Sequence, residues 1–336
     1  MNVKELLKKC QADKTAVLAT NFYNFETLTC VMKAAAQMEA PVLLQLTRSS
    51  IDYMGLEQAV KMGRQAIADY GVQGWIHLDH GGSVELVKRC LDAGFDSVMI
   101  DASEKPFEEN VETTCQVVEM AKPFGANVEA ELGYVAKLGQ EQGGGFTTPE
   151  EAAIFVQKTG VDALAVSIGS AHGFYKQAPK LDIERLAQIH AATDVALVLH
   201  GSSGIPHEMV QEAIANGIVK VNLATEIKDN FMRALKGVLT SRDEIDLRKV
   251  FPKAVAPVVD LLCENIEWSE ALLTNNYYIW IPNPNGIQYG KNQTFRSGPS
   301  AEAICRRSSG SSVRCTQFSR GKSRSRRKVT PAHHQT

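Results

Sequence analysis

Short apolar runs of strand length alternate with segments of helical period along most of the chain. Eight such runs occur: AVLAT (16–20), PVLLQLT (41–47), WIHLDH (75–80), SVMIDAS (97–103), NVEAELG (127–133), ALAVSIG (163–169), ALVLHGS (196–202) and IVKVNLAT (218–225). Near-continuous apolar strands separated by helices are typical of a parallel sheet that is covered on both faces. Eight strand–helix units in about 270 residues predict an α/β protein with a (β/α)8 barrel. An open, doubly wound sheet is the alternative.

Helix-capping residues stand in the gaps between the apolar runs. The segment TTPEEAAIFVQKTG predicts a helix with Thr148 as its N-cap and Gly160 at its end. The first fifteen residues, MNVKELLKKCQADKT, predict a short amphipathic helix. Helical signals continue to Trp268, where we place the end of the barrel domain, residues 1–268.

Residues 269–336 differ in composition from the rest of the chain. They carry eleven Lys or Arg against two acids, which leaves 25 basic and 36 acidic side chains in residues 1–268. The Ser/Arg-rich composition predicts a basic, low-complexity, disordered tail. An anchor for nucleic acid or an acidic surface is the alternative for this tail. The acidic body is not typical of a nucleic-acid-binding protein, so no nucleic-acid partner is expected for the barrel.

Composition also bears on location. No apolar run approaches the eighteen or more residues that a membrane span needs, and the N-terminus lacks the apolar core of a signal peptide. The seven cysteines are scattered, without a CxxC pair. This pattern is typical of reduced thiols and predicts a cytoplasmic protein without a membrane partner.

Histidines stand at or just after three of the predicted strands. His80 ends the third strand, His172 follows the sixth and His200 ends the seventh. In a barrel these positions converge on one mouth, and three imidazoles there match a catalytic zinc site with an open fourth position. A single histidine near a strand end is more often a hydrogen-bonded structural residue. We interpret His77, in the middle of strand three, in that way.

Acidic and amide side chains are found on the same strands and at their ends. They are Asp79, Asp101, Glu129, Glu131 and Asn222. Asp79 directly precedes a predicted metal ligand, so we expect it to move a proton on the substrate that the ion holds. Gly81 and Gly82 are expected to keep the approach to this pair open.

Two loops rich in small residues follow strands seven and eight. HGSSGIP precedes a helix predicted to start at Pro206, and NLATE places Thr225 at a predicted helix N-cap. Small residues let backbone N–H groups approach an anion, and a helix N-terminus favours negative charge. Loops in these two places commonly bind phosphate in barrel enzymes. The sequence therefore predicts a phosphate site, to which Gly173 beside His172 adds another amide.

Taken together and in this order, six motifs resemble those of one enzyme family. HLDHG, SVMIDAS, VEAELG, TGVDALAVSIGSAHGFY, LVLHGSSGIP and KVNLATE are similar to motifs of the class II, zinc-dependent ketose-bisphosphate aldolases of the fructose- and tagatose-bisphosphate type. The resemblance runs from the N-terminus to about Trp268. It implies a (β/α)8 barrel, a homodimer or homotetramer, and a role in carbohydrate metabolism such as glycolysis. The implied reaction is reversible aldol cleavage of a ketose 1,6-bisphosphate to dihydroxyacetone phosphate and glyceraldehyde 3-phosphate.

The resemblance also implies roles for individual residues. His80, His172 and His200 would bind Zn²⁺, Asp79 would be the general acid and base at the C4 hydroxyl, and Glu131 and Asp101 would support or alternately bind metal. The residues that would hold dihydroxyacetone phosphate are Gly173, Gly201, Ser202, Ser203, Asn222, Leu223, Ala224 and Thr225. A monovalent cation often accompanies this phosphate site in the family.

Several positions differ from the family pattern. The loop after strand five carries one acid, Glu141, where consecutive acids are usual; we predict that Glu141 handles a proton and that the triple glycine beside it allows a lid to move. The alanine at position 224 is more similar to the tagatose-bisphosphate branch of the family than to the fructose-bisphosphate branch. Lys228 is a candidate for binding the distal phosphate of the substrate. The chain beyond Trp268 also lacks the short ending that is usual in the family.

Other activities remain as alternatives at this point. They are an aldolase of the same family that acts on a different phosphorylated ketose or keto acid, a zinc hydrolase on the same barrel, and a non-catalytic partner subunit. A class I aldolase would need a buried lysine for a Schiff base. Lys220 is the only lysine within the eight strands, and we interpret it as structural.

Overall fold

The computed structural model describes residues 1–133, 145–175 and 178–270. Within them eight parallel strands pair in chain order, and β1 also pairs with β8, so the sheet closes into a barrel. The strands are β1 (Val17–Asn21), β2 (Val42–Leu46), β3 (Gly74–Gly81), β4 (Ser97–Ile100), β5 (Asn127–Leu132), β6 (Ala163–Val166), β7 (Ala196–Leu199) and β8 (Ile218–Leu223). Each overlaps a predicted apolar run; β1 extends one residue past its run, to Asn21, and β3 extends one residue past each end of its run, from Gly74 to Gly81. The predicted (β/α)8 barrel is confirmed, and the open sheet is excluded.

Helices connect the strands and surround the barrel. Those in the described residues are α1 (Val3–Asp13), α2 (Phe25–Met38), α3 (Arg48–Met54), α4 (Leu56–Tyr70), α5 (Val84–Asp92), α6 (Phe107–Ala121), α7 (Pro149–Thr159), α8 (Ile183–Ala192), α9 (His207–Ala215), α10 (Thr225–Ser241), α11 (Leu247–Val250) and α12 (Pro252–Glu270), with a 3₁₀ turn at Lys122–Phe124. None of these helices combines the length and apolar character that a membrane span requires.

Local capping explains where several helices begin and end. The Thr148 side chain accepts from the backbone N–H of Glu151 at the start of α7, and Gly160 ends that helix in the left-handed region with φ +62°. Both features agree with the prediction and follow ordinary capping chemistry. The predicted N-terminal helix is α1, which opens with a reciprocal capping box between Asn2 and Glu5.

Two clusters of buried side chains divide the core. The larger cluster lies between the outer faces of the strands and the surrounding helices. The smaller cluster fills the amino-terminal end of the barrel, where Leu6 and Leu7 of α1 pack with Val17, Leu43 and Trp75. Full burial of a Leu or Val side chain stabilises a fold by about 1.5–3 kcal/mol, so α1 is held firmly over this end of the barrel. Because this end is filled by apolar side chains, we expect the active site at the carboxyl-terminal mouth.

The structure corrects two predicted helix starts. The predicted N-cap at Thr225 is wrong: α10 begins at that residue, and its N-cap is Ala224, which offers no side-chain hydrogen bond. The physical reason is that β8 runs to Leu223 and a single residue makes the turn into the helix. Similarly, Pro206 is the N-cap of α9 and not its first residue.

The last described helix extends past the predicted domain end. α12 contains Pro257 in its interior and runs to Glu270, two residues beyond Trp268. The predicted basic tail, apart from its first two residues, lies outside the described residues, as does Glu141 in the loop after β5.

Candidate metal centre and active site

Four side chains from different strands meet at the barrel mouth. His80, Glu131, His172 and His200 each offer one ligand atom, and these atoms all lie within 4.8 Å of one another. The His80 ring centroid is 4.9 Å from that of His172 and 4.8 Å from that of His200. Ligand atoms about 2 Å from one tetrahedral ion lie about 3.3–3.5 Å from one another, so this cluster is slightly wider than a loaded site and of the same scale. Three imidazoles and a carboxylate suit Zn²⁺ by donor type and number.

The backbone at the end of β3 turns His80 toward the cluster. His80 has φ +50°, which is uncommon for a residue with a side chain and is characteristic of functional sites. The register between β3 and β4 shifts between Leu78 and Gly81. A Cβ atom at Gly81 would lie 2.3 Å from the carbonyl oxygen of Met99, whereas one at Gly82 would meet nothing within 4 Å. Close backbone packing, not access to the site, thus explains Gly81.

Asp101 stands behind His80. Its Oδ2 atom lies 2.7 Å from Nδ1 of His80, and its Oδ1 accepts from the backbone and hydroxyl of Ser103. Burial raises the pKa of Asp101, but the hydrogen bonds with His80 and Ser103 outweigh burial and lower it below the usual range. Among the described residues the four-ligand cluster does not include Asp101. Its position suits an orienting partner that leaves Nε2 of His80 free for an ion.

His200 is held between two carboxylates. Its Nε2 atom is 3.0 Å from Oε1 of Glu129, and its Nδ1 atom is 3.2 Å from Oε2 of Glu131. Burial lowers the pKa of His200, but the two carboxylates outweigh burial and raise this pKa to about 10. His172 behaves oppositely, because burial and then the neighbouring His80 and His200 lower its pKa to about 3.

Asp79 lies beside the cluster and is almost completely buried. Asn21 donates from Nδ2 to Oδ2 of Asp79 at 2.9 Å, and Asn222 donates to Oδ1 at 3.4 Å. Oδ1 is 3.9 Å from Nε2 of His80. Burial raises the pKa of Asp79, whereas the charges of His80 and His200 and the hydrogen bond from Asn21 lower it. The net direction is down, which favours the carboxylate form that a general base needs.

Asn21 is a site residue that the sequence motifs did not predict. A signal did exist: β1 ends on this polar residue, and the alternate positions Val17 and Ala19 face the barrel interior. Period-two alternation therefore aims Asn21 into the mouth.

The loops after β6 and β7 are packed together at their backbones. Gly201 has φ +66°, and a Cβ atom there would lie 2.5 Å from the carbonyl oxygen of Ala171. The Tyr175 hydroxyl accepts from the N–H of Ala171 at 2.7 Å and donates to the carbonyl of Gly201 at 2.8 Å. Tyr175 was also missed, although it closes the SAHGFY motif.

The predicted phosphate residues lie on adjacent loops. The Ser202 hydroxyl donates to the carbonyl of Asn222, which ties the loop after β7 to the end of β8. The Glu226 carboxylate accepts from the N–H of Gly204, so that amide is already engaged. The other predicted phosphate residues here are Gly173 with φ +97°, buried Ser203 and Leu223, and partly buried Ala224 and Thr225. Lys228 is exposed, and its Nζ lies 5.4 Å from the centre of the Tyr23 ring.

Comparison with known proteins agrees with this geometry. The family model for class II fructose-bisphosphate aldolase matches residues 1–272. The YdjI aldolase of Escherichia coli K12 is 31% identical with a TM-score of 0.71, over 80% of this chain and 96% of that one. A putative fructose-1,6-bisphosphate aldolase from Coccidioides immitis is 28% identical with a TM-score of 0.73, over the same shares.

A third structure supports the fold alone. The fructose-bisphosphate aldolase of Campylobacter jejuni is 21% identical with a TM-score of 0.68, over 80% of this chain and 95% of that one. The match along residues 1–272, on a closed barrel with a His/Glu cluster at its mouth, leads to one conclusion. The chain belongs to the class II fructose-bisphosphate aldolase family, whose members are metal-dependent carbon–carbon lyases.

Proposed function

We propose that this protein catalyses zinc-dependent, reversible aldol cleavage of a ketose 1,6-bisphosphate of the fructose or tagatose type. The products would be dihydroxyacetone phosphate and glyceraldehyde 3-phosphate. The observation that carries the proposal is the meeting of four ligand atoms within 4.8 Å, with the Asp79 carboxylate 3.9 Å from His80.

His80, His172 and His200 would hold the zinc ion, and Glu131 would be a fourth or alternate ligand. When bound, zinc supplies Lewis-acid stabilisation of the negative charge that C–C cleavage leaves on the ketose oxygens. Asp101 contributes from behind His80, through the 2.7 Å contact that orients the ring.

Asp79 would move the proton of the reaction. In the cleavage direction its carboxylate takes the proton from the C4 hydroxyl, and in condensation it returns that proton. Asn21 and Asn222 donate to its two oxygens and hold it in place beside the cluster. A positioned acid or base of this kind contributes about 10²–10⁴-fold in rate. Glu141 is proposed as a further proton-handling residue from the loop after β5.

The phosphate on the dihydroxyacetone side would bind to the loops after β6, β7 and β8. Their backbone amides at Gly173, Gly201, Ser202 and Ser203 and at residues 222–225 are the proposed donors, with a monovalent cation beside them. Hydroxyl and carboxylate contacts hold these loops together, as Tyr175, Ser202 and Glu226 show. At the other end of the substrate, Lys228 over the Tyr23 ring is the candidate for the distal phosphate.

Three further proposals concern the oligomeric state, the location and the domain organisation of the protein. We propose a homodimer or homotetramer, as the family resemblance implies, which light scattering would check. We propose a cytoplasmic enzyme of carbohydrate metabolism; the five cysteines of the described residues are all free thiols. We also propose that residues 1–268 form the catalytic barrel and that residues 269–336 are a basic disordered tail.

Cleavage assays test the proposed function. Fructose and tagatose 1,6-bisphosphate are offered separately to protein as prepared, protein treated with a chelator, and treated protein given zinc again. We expect cleavage of at least one bisphosphate, loss on chelation and recovery with zinc. Borohydride is added to each reaction, and mass spectrometry is used to search for a covalent adduct. Trapping of a substrate on a lysine, or activity that survives chelation, would overturn the metal route.

A further inference from the structure

A fully buried network of polar side chains lies beneath the metal cluster. Glu129 and His77 have no exposed surface, and Lys220 is 1% exposed. Lys220 Nζ is 2.7 Å from Oε2 of Glu129 and 3.3 Å from Nε2 of His77. His77 Nδ1 lies 2.7 Å from the Ser97 hydroxyl. The network thus joins β3, β4, β5 and β8 across the barrel interior.

One end of this network reaches a metal-binding histidine. Glu129 Oε1 is 3.0 Å from Nε2 of His200, while Oε2 of the same carboxylate is held by Lys220. With both oxygens engaged, the carboxylate has little freedom to rotate. The His200 ring is therefore pinned through Nε2, and only Nδ1 is left toward Glu131 and the other ligands. A histidine can bind an ion with either nitrogen, so this contact decides which one is presented.

We propose that Glu129 and Lys220 are positioning residues that fix the His200 ring with Nδ1 toward the metal. This inference rests on the metal site of the proposed function but not on the identity of its substrate. Stability alone is a poor reason for such a pair, because well-packed apolar residues often replace a buried ion pair without loss of stability. Removal of one partner is different, since it leaves an unpaired charge in the barrel.

The contacts of Lys220 also bear on the Schiff-base alternative. Its Nζ is bonded to Glu129 and His77 and is closed off from solvent. A Schiff-base lysine needs a neutral amine that reaches the substrate. Lys220 is instead held in an ion pair with Glu129 beneath the metal cluster.

The decisive experiment compares single and double variants. The set is Glu129→Gln, Lys220→Met, the double variant Glu129→Met with Lys220→Met, and the control Gln45→Met. Gln45 is equally buried, neighbours His77 in the barrel register, and makes no side-chain hydrogen bond to any described residue. Each full-length protein is stripped of metal, titrated with Zn²⁺ against a competing chelator, and loaded with Co²⁺ for its visible spectrum. Thermal unfolding of the metal-free proteins is recorded beside these measurements.

We expect Glu129→Gln to weaken zinc binding by about 10–100-fold and to change the Co²⁺ spectrum. Lys220→Met is expected to do the same, and both single variants should lower the unfolding temperature because each leaves an unpaired charge in the barrel. The double variant distinguishes a positioning role of the pair from a purely structural role. If the pair positions His200, the double variant regains thermal stability but not zinc affinity. Gln45→Met keeps wild-type affinity. Recovery of affinity together with stability in the double variant, or unchanged affinity and spectrum in Glu129→Gln, would overturn the inference.

The outcome is distinguishable from a failure of the proposed function. Wild-type protein that binds zinc tightly but cleaves neither bisphosphate counts against the function alone. Variants that match the wild type in zinc affinity count against the positioning role alone.

Discussion

Nδ1 of His80, the left-handed penultimate residue of β3, lies 2.7 Å from Oδ2 of Asp101. The contact commits Nδ1 and leaves Nε2 for the proposed zinc ion. We expect Asp101→Ala to weaken zinc affinity by about 10–100-fold, because the ring loses its orienting partner. Chelator competition measures the change. Asp52→Ala is the control, since Asp52 forms an exposed ion pair with Arg48; equal affinity in the two variants would contradict the role of Asp101.

The role of Asp79 in proton transfer should be separable from metal binding. Asp79→Asn keeps the shape of the side chain but removes its capacity to accept the substrate proton. We expect the cleavage rate to fall by about 10²–10⁴-fold, with zinc content unchanged. Steady-state kinetics and metal analysis of the same preparation check both statements. A variant that retains its rate within a factor of three would show that another group moves the proton.

The two glycines after His80 should differ sharply. Gly81→Ala forces a Cβ atom to within 2.3 Å of a backbone oxygen, whereas the same change at Gly82 meets open space. Overpacking costs about 1–3 kcal/mol, so we expect a loss of at least this size in the free energy of unfolding for Gly81→Ala. Gly82→Ala should stay within about 0.5 kcal/mol of wild type. Urea denaturation of both variants supplies the comparison, and similar losses would argue against the packing explanation.

Tyr175 should support the phosphate loops. Tyr175→Phe leaves the N–H of Ala171 and the carbonyl of Gly201 without the hydroxyl that joins them. A partner left unsatisfied costs about 1–3 kcal/mol. We expect KM for the bisphosphate to rise while kcat changes less. Tyr53→Phe, at a residue that is 77% exposed, is the matched control and should leave both constants unchanged.

Metal uptake should release protons. Burial lowers the pKa of His200, but its two carboxylate partners raise it to about 10, so the metal-free ring is charged at neutral pH. Binding through Nδ1 requires its neutral form, and zinc affinity must therefore fall as pH decreases. Calorimetric titrations at pH 7.5 in buffers of different ionisation enthalpy should report at least one proton released per zinc. A heat that does not depend on the buffer would contradict this description of His200.

Local sequence patterns were sufficient to predict the eight strands and the kinds of functional residues at their ends. Apolar runs and turn residues predicted all eight strands, since burial on both faces demands continuous apolar sequence. The residues at strand ends were predicted as a group because parallel strands in a barrel share one mouth. His80, His172 and His200 needed no knowledge of distances to be proposed together.

Tertiary structure decided what each polar group contacts. Side-chain rotamers place Asp101 behind His80 and direct Nε2 of His200 to Glu129. The neighbours that set these rotamers are up to 71 residues apart in sequence. The partnership of Asn21 with Asp79 and the ion pair of Lys220 with Glu129 likewise join strands that are distant in the chain. A sequence pattern records which face a residue points to, but only the closed barrel brings the inward-facing groups within hydrogen-bonding distance of one another.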